Sequence, residues 1–173
     1  YNHADNSSLN QKKIELGGEC SLECLKIQLK IGKAILEKRF PKIFFPLLVP
    51  PWNRIDPELI PHLPQLNYSA ISTFGTEDSR YIKVGLKEIN CHIDIINWRN
   101  RGIFLGQDKT LSLVCQLLQK YRSEKKSHDL PIGLLSHHIR HDNRAWNFLE
   151  KFFDLTYRHP AVDWPELHML VSS

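Results

Sequence analysis

The segment FPLLVPPWNRIDPELIPHLPQL, residues 45–66, changes from a strand-like to a helix-like pattern within a few residues. Its first part belongs to an apolar run that predicts a buried strand over residues 43–49, near a sheet edge or bulge because Pro46 has no N–H to donate. Its last part places Asp56 before Pro57, the usual order of an N-cap and a first helical residue, and so predicts a short helix. A strand followed by a helix is the repeating unit of a parallel α/β sheet.

Between the strand and the helix, Trp52, Asn53 and Arg54 present an aromatic ring, an amide and a guanidinium side by side. A plain connection would use small turn residues such as Gly, Ser or Asp. Two interpretations remain open: Trp52 covers the core of a loop, or the three side chains line a binding surface. We favour the binding surface and take Trp52, Asn53 and Arg54 as candidate substrate contacts.

The alternation of helix and strand continues on both sides of this segment. Helical spacing predicts three longer helices: one from about Cys20 to Arg39, one in DKTLSLVCQLLQKYRSE with Asp108 as its cap, and one in NRAWNFLEKFFDLTY. Apolar runs predict further strands over residues 69–72, 89–95 and 132–135. No hairpin signal such as Asn-Gly separates these runs, so we expect parallel neighbours in one sheet with crossover helices. The strands are too few for a closed barrel, so the sheet is open or the chain is part of a larger domain.

The composition favours a single globular domain over residues 1–173. The chain is 42% apolar and 24% charged, and it contains no apolar run approaching the ~20 residues of a membrane span. The net charge of +4 is mild and no basic stripe is interleaved with stacking aromatics, so no nucleic-acid partner is expected. Cys20 and Cys24 share a predicted helix face with Ile27, Ile31 and Ile35, which predicts buried thiols and favours a reducing, cytoplasmic location.

Polar side chains collect at the ends of three predicted strands, where parallel α/β sheets bind their ligands. The first cluster is Trp52, Asn53 and Arg54; the second is His92, Asp94 and Trp98; the third is His137, His138 and His141.

Each histidine cluster has a structural and a functional interpretation. His92 and Asp94 alternate with apolar neighbours, so they share one strand face, which points either into a barrel mouth or at a buried polar pair. We favour the mouth. His137 and His141 lie four residues apart, a metal-binding spacing on a helix, but the sequence around them predicts a strand that runs into a loop. One histidine of the third cluster is expected to be structural.

Five segments in the same order resemble the polysaccharide deacetylases, metal-dependent carbohydrate esterases with an incomplete (β/α) barrel, and in particular a bacterial branch of that family. The segments are YNHADN, LVPPWNRI, STFG, NCHIDIINW and GLLSHHIRHDNRAWNFLE, which together reach from Tyr1 to about Phe152. The resemblance implies an α/β fold, part of an incomplete (β/α) barrel with mostly parallel strands and flanking helices. It also implies a hydrolase that removes N- or O-acetyl groups from a polysaccharide or amino sugar.

The resemblance also assigns roles to individual residues. His137 would be the general acid, and Asp94 would orient it and favour its charged form. His3 would be one ligand of a divalent metal, zinc by default, that activates a water and polarises the acetyl carbonyl. The residues that would contact the carbohydrate are Trp52, Asn53, Arg54, His92, Trp98, His138 and His141.

The chain departs from the family pattern at two places. The family's Asp-Asp pair, one a general base and the other a metal ligand, has no counterpart here, and the first His of its H-x-x-x-H segment would lie before Tyr1. On this match the chain corresponds to the C-terminal two-thirds of the family's domain, and we expect it to be inactive alone. The family's Arg-x-Pro-Tyr-Gly segment, which would line the substrate groove, is replaced here by residues 49–53. Arg54 would then substitute for the arginine of that segment.

Two alternatives stay open beside the enzyme. The first is a non-catalytic carbohydrate-binding or remnant domain of the same fold, and the second is an unrelated α/β interaction domain whose histidines are structural. Apolar sheet edges left exposed by the missing strands of the domain would favour self-association.

Overall fold

The computed structural model describes residues 3–75, 79–124 and 131–172, a mixture of helices and short strands. The chain divides into two compact units: the first holds the described residues up to Asn90 and from Leu167 onward, and the second holds Cys91–Glu166. The helices are α1 (Leu22–Arg39), α2 (Ser79–Lys83), α3 (Gln107–Ser123), α4 (Asn143–Tyr157) and α5 (Leu167–Ser172). None of these described helices is both long and apolar enough to cross a membrane.

The strands of the described residues are short and form small sheets. In chain order they are β1 (Leu47–Leu48), β2 (Ala70–Ile71), β3 (Lys87–Glu88), β4 (Ile93–Asp94), β5 (Ile96–Asn97), β6 (Ile103–Phe104) and β7 (Leu134–Leu135). The first unit contains the parallel sheet β1–β2–β3. The second unit contains the parallel pair β4–β7 and the antiparallel pair β5–β6. None of these described sheets closes into a barrel.

The predicted parallel pairing is confirmed, and the predicted single sheet is wrong. β1, β2, β4 and β7 each lie inside a predicted strand, and β1 pairs in parallel with β2 as β4 does with β7. The pair β4–β7, however, forms a sheet separate from β1–β2–β3. The strand predicted over residues 89–95 is reduced to β4, and Asn90, inside the predicted range, uses its buried side chain to accept from Thr73 N–H and Oγ1 at 2.8 and 2.9 Å.

The structure also contains a β-hairpin that the sequence did not predict, and its two strands lie outside the four predicted ranges. β5 and β6 are antiparallel neighbours joined by a turn over residues 98–102. Arg101 and Gly102 adopt positive φ values of 55° and 68°, and the Gly102 N–H donates to Asn97 O at 3.1 Å. The signal in the sequence was the glycine that ends a five-residue turn, rather than an Asn-Gly pair.

The predicted helix starts agree with the structure to different degrees. Ser21 caps α1, its Oγ accepting the Cys24 N–H at 3.3 Å. The N-cap of α3 is Gly106, so Asp108 lies in the first turn and is not the predicted cap. The short helix predicted after Asp56 is present as 3₁₀ structure: residues 60–66 form two 3₁₀ helices, in which Pro61 and Pro64 each remove a backbone donor.

The buried face predicted for α1 is wrong. Leu25 packs into the core of the first unit, whereas Cys24 is exposed and Ile27, Ile31 and Ile35 are each more than half exposed. The sequence of α1 contains two apolar rows, one of isoleucines and one formed by Leu22, Leu25 and Leu29. The core of the first unit covers the leucine row.

Each unit has its own apolar core. In the first unit it consists of Leu16, Leu25, Leu48, Leu59, Ile60, Leu63, Ile71, Tyr81 and Leu86. In the second unit it consists of Ile95, Ile96, Phe104, Ala145, Phe148 and Leu149, so α4 packs on the β5–β6 hairpin. On α4, Leu149 is buried, while Trp146 and Phe153 are about half exposed.

Candidate functional site

Asp94, at the end of β4, is the centre of a hydrogen-bonded cluster in the second unit. Its Oδ1 accepts the backbone N–H of Ile96 at 2.8 Å, and its Oδ2 accepts the indole Nε1–H of Trp98 at 2.8 Å. The same Oδ2 lies 3.2 Å from Nε2 of His137. Because the Ile96 bond spans only two residues, the local backbone fixes the orientation of the carboxylate.

His137 reaches this carboxylate because β7 pairs with β4. Asp94 is the register partner of Leu135, two residues before His137. A carboxylate only accepts hydrogen bonds, so Nε2 of His137 carries a proton and donates it to Asp94. Nδ1 of His137 has no hydrogen-bond partner within the described part of the chain. The result is a carboxylate–imidazole pair with one imidazole nitrogen left for an external group.

Trp98 contacts both members of this pair. Besides donating to Asp94, its ring packs edge-on against His137 with 4.8 Å between ring centroids. The Trp98 ring packs over the hairpin turn, since a Cβ added at Gly102 would lie 3.4 Å from it, at van der Waals contact. The positive φ of Gly102 is what the turn requires of this residue.

His141 holds the backbone of His137. Its Nε2 accepts the His137 N–H at 3.0 Å across the 3₁₀ helix His138–Arg140, a bond that requires a neutral ring protonated at Nδ1. Burial lowers the pKa of His141, and the imidazoles of His137 and His138 lower it further, so both effects favour the neutral ring. The ring also packs edge-on against Trp146 at 4.6 Å. The four-residue spacing of His137 and His141 is thus used for a side-chain-to-backbone bond.

The other two candidate site histidines of the second unit, His92 and His138, differ in their surroundings. Nδ1 of His92 accepts the Gly133 N–H at 3.1 Å, so its Nε2 carries the proton and donates to the Tyr121 hydroxyl at 3.2 Å. His92 therefore ties the segments before β4 and β7 to α3, with both ring nitrogens engaged. His138 is exposed beside the Asp94–His137 pair.

Trp52, Asn53 and Arg54 lie in the first unit, in a turn with unusual backbone geometry. Trp52 and Asn53 both have left-handed φ values, 53° and 59°, which cost about 1–3 kcal/mol each outside glycine. Asn53 Oδ1 accepts the Phe74 N–H at 2.6 Å, and Arg54 Nη1 donates to Lys13 O at 2.6 Å. Asn53 and Arg54 are therefore engaged in holding loops, and the Trp52 ring is 36% exposed, with the Lys13 ammonium 5.8 Å from its centroid.

His3 lies beside Trp52 and does not complete a metal site. Its ring packs edge-on against Trp52 at 5.4 Å, and its Nδ1 contacts Glu15 Oε2 at 2.8 Å. Within the described ranges, no group of three or more His, Cys, Asp or Glu side chains could hold a metal ion. His3 and Glu15 offer two donor groups where a catalytic zinc site uses three protein ligands, so the described residues alone do not fit the metal.

The predicted residues thus fall into two groups. In the second unit, the structure brings together Asp94, Trp98, His137 and His141. His138 is exposed at the surface of that unit, and His92 is bonded to Gly133 and Tyr121 instead. The first unit holds His3, Trp52, Asn53 and Arg54. The sequence interpretation missed the contact between Tyr121 and His92, because Tyr121 fitted the apolar spacing of α3.

A scan against protein-family models gives no match for this chain, and searches of the curated proteins and of the solved structures give none either.

Proposed function

We propose that the chain carries the acid side of a metal-dependent carbohydrate deacetylase site, which removes N- or O-acetyl groups from a polysaccharide or amino sugar. The observation that carries the proposal is the contact of His137 Nε2 with Asp94 Oδ2 at 3.2 Å, with Trp98 bound to the same oxygen. The pair supports acid catalysis, and the five motif segments support the substrate class.

The Asp94–His137 pair suits the protonation of a leaving group. Cleavage of an acetamide requires a proton on the departing nitrogen, and a positioned acid contributes about 10²–10⁴-fold to such a step. In the protonated ring, Nε2–H would stay on Asp94 and Nδ1–H would be available to the leaving nitrogen. Asp94 would stabilise the imidazolium and fix the ring without taking the proton itself. His141 would keep the main chain of His137 in place by accepting its N–H.

The two tryptophans suit a carbohydrate partner. Trp98 and Trp52 offer partly exposed, flat apolar faces, the kind of surface on which a sugar ring stacks. Since the Trp98 ring lies 4.8 Å from the His137 ring, a sugar on Trp98 would bring its acetamido group near the acid.

The proposal includes the incomplete (β/α) barrel and a divalent metal, zinc by default. The small, mostly parallel sheets are compatible with such a barrel. His3 would supply one metal ligand, and the other ligands and the general base would come from residues outside this 173-residue sequence.

Acetate release from acetylated chito-oligosaccharides tests the proposal, using protein expressed with any coding sequence upstream of Tyr1 and supplied with Zn²⁺. His137→Ala is expected to lower kcat by about 10²–10⁴-fold. His159→Ala, an exposed histidine of the same unit, is the matched control and should change kcat less than about twofold. Loss of activity in His138→Ala with full activity in His137→Ala would move the acid role to His138. Absence of acetate release by the folded, metal-loaded protein would refute the deacetylase.

Carbohydrate binding without hydrolysis is the second candidate function, and the Trp52 turn favours it. Asn53 and Arg54 fix an aromatic ring in a strained backbone conformation, which suits a stacking platform. In this case the chain should bind chito-oligosaccharides in calorimetry, and Trp52→Ala should weaken binding about tenfold or more. Binding combined with no acetate release by the longer, metal-loaded protein would select this function over the enzyme.

A further inference from the structure

Helix α1 presents an apolar strip that the described residues do not cover. The isoleucine strip, formed by Ile27, Ile31 and Ile35, is 55%, 56% and 52% exposed. Since these residues are four apart, they lie in one row along the helix. Leu25, by contrast, is 2% exposed, so α1 is seated in the core through a different face.

A second exposed apolar set lies at the end of α1. Phe40 is 48% exposed and Ile43 is 80% exposed, and both line an apolar groove of about 610 Å³ with Leu36, Phe44 and Val49. Leu36 is about 100° around the helix from Ile35, so the groove lies on a different side of α1 from the isoleucine strip. Exposed sets of large apolar side chains mark surfaces that contact another molecule or a membrane.

Positive charge is concentrated on the same segment. Residues 22–43 contain six Lys or Arg and two Glu, a net charge of +4 that equals the net charge of the whole chain. The positive and negative charges of the remaining residues therefore cancel. Both Glu residues are already paired, Glu23 with Lys26 at 2.7 Å and Glu37 with Lys33 at 3.6 Å. The cations of this segment without a carboxylate partner in the described structure are Lys30, Lys38, Arg39 and Lys42.

We propose that the isoleucine strip, together with the unpaired cations of its segment, binds an anionic lipid bilayer, lying on it rather than crossing it. An apolar row flanked by Lys and Arg is the composition of interfacial helices, whose apolar side chains enter the boundary of headgroups and acyl chains while the cations stay at the level of the phosphates. The flexible stems of the lysines allow both contacts at once.

Charge argues against two other occupants. In a symmetric contact between two copies of this surface, the same unpaired cations would face each other without counter-charges. A nucleic acid would satisfy the cations but would leave the isoleucine strip in water. An anionic bilayer satisfies both the charge and the apolar area.

Co-sedimentation of the 173-residue chain with lipid vesicles tests this proposal. Binding is expected to phosphatidylcholine vesicles that contain about 30% phosphatidylserine, and not to phosphatidylcholine alone, and it should fall steeply as salt rises from about 0.1 to 0.5 M. Replacing Lys30, Lys38 and Lys42 with Gln should weaken binding about 100-fold, since each cation near an anionic surface contributes about fivefold.

Two further variants separate the apolar contribution from general surface effects. Replacing Ile27, Ile31 and Ile35 with Gln should weaken vesicle binding at least tenfold, because each buried methylene contributes about 0.8 kcal/mol of transfer free energy. Leu111→Gln with Leu118→Gln is the matched control, since these leucines are exposed on α3, and it should leave binding unchanged. Circular dichroism shows whether each variant is folded.

The proposal is overturned by equal binding to both kinds of vesicle, by no binding of the folded chain, or by full binding in both triple variants. Sedimentation velocity on the same samples tests the self-association alternative. A dimer that the triple isoleucine variant converts to a monomer, in a chain that does not bind vesicles, would assign the strip to contact between copies and overturn the bilayer.

Discussion

At Asp94 a single carboxylate accepts from a backbone N–H, an indole and an imidazole. The backbone donor is two residues away, whereas His137 is 43 residues away in the sequence. A carboxylate whose two oxygens each have a donor can stay charged at partial burial without a large desolvation penalty. The cluster therefore depends on the β5–β6 hairpin for Trp98 and on the β4–β7 pair for His137.

Trp98→Phe isolates the indole bond to Asp94, because it keeps an aromatic ring and removes the N–H. We expect a loss of about 1 kcal/mol in the free energy of unfolding, below the range of about 1.5–3 kcal/mol for a bond to a charged group, since Trp98 is half exposed. Trp164→Phe is the control, because Trp164 is similarly exposed and its indole bonds to nothing in the described ranges. Urea unfolding measures both variants, and equal losses would mean that the Trp98–Asp94 bond does not stabilise the fold.

His141 should make the stability of the second unit depend on pH. Burial first, and then the neighbouring imidazoles of His137 and His138, lower its pKa in the folded chain. The unfolded chain therefore binds a proton more readily, so this contribution to stability is complete above the ordinary histidine pKa of about 6.5 and is lost as the pH falls toward the lowered folded value.

His141→Gln tests this dependence, because the Gln side chain can accept the His137 N–H without titrating. Urea unfolding of both proteins between about pH 5 and 7.5 should show the wild type losing stability relative to the variant as the pH falls. Parallel pH profiles for the two proteins would contradict the role of His141 as a neutral acceptor.

At the residue scale the sequence predicted part of this cluster. The resemblance grouped Asp94 with His137, and strand alternation placed His92 and Asp94 on one face, but neither could tell that His92 uses both ring nitrogens on Gly133 and Tyr121. Those partners are 41 and 29 residues away, so their contacts depend on packing and leave no local pattern.

At the element scale, the β5–β6 hairpin is the element that positions Trp98, and Gly102 is the residue that makes its turn possible. Gly102→Ala should cost about 1–2 kcal/mol in the free energy of unfolding, because alanine is strained at a φ of 68°.

Gly32→Ala is the matched control for this prediction. Gly32 lies inside α1, with nothing within 4 Å of an added Cβ, so alanine should stabilise the chain by about 0.5–1 kcal/mol. Thermal and urea unfolding compare the two variants. A Gly102→Ala variant as stable as the wild type would show that the turn tolerates a side chain and does not depend on glycine.

The sequence was more informative about where elements lie than about how long they are. Apolar runs located β1, β2, β4 and β7, but each ladder is short, since strand length depends on the partner strand and on prolines such as Pro46. Helical periodicity located α1 but offered two apolar rows with similar spacing. Only the packing of Leu25 in the core decides between them.

At the scale of the whole molecule, the sequence predicted a mixed α/β chain with mostly parallel strands, and the structure agrees. It did not predict that the parallel pairs belong to different sheets in two compact units. Pairing between strands distant in sequence is set by the whole core, which a segment-by-segment pattern does not contain.

The last prediction concerns the 173-residue chain as a whole: it should release no acetate from acetylated chito-oligosaccharides, even with excess Zn²⁺. Zinc catalysis uses three protein ligands with one open position, and no group of three or more suitable side chains occurs in the part of the chain that the structure describes. The sequence also contains no Asp-Asp pair to supply a general base, so the Asp94–His137 acid would have no water-activating partner. Acetate release, followed by liquid chromatography with and without a chelator, measures this. Turnover that the chelator abolishes would show that the metal ligands lie within these residues, and the match that assigns His3 as one ligand of a larger set would then be wrong.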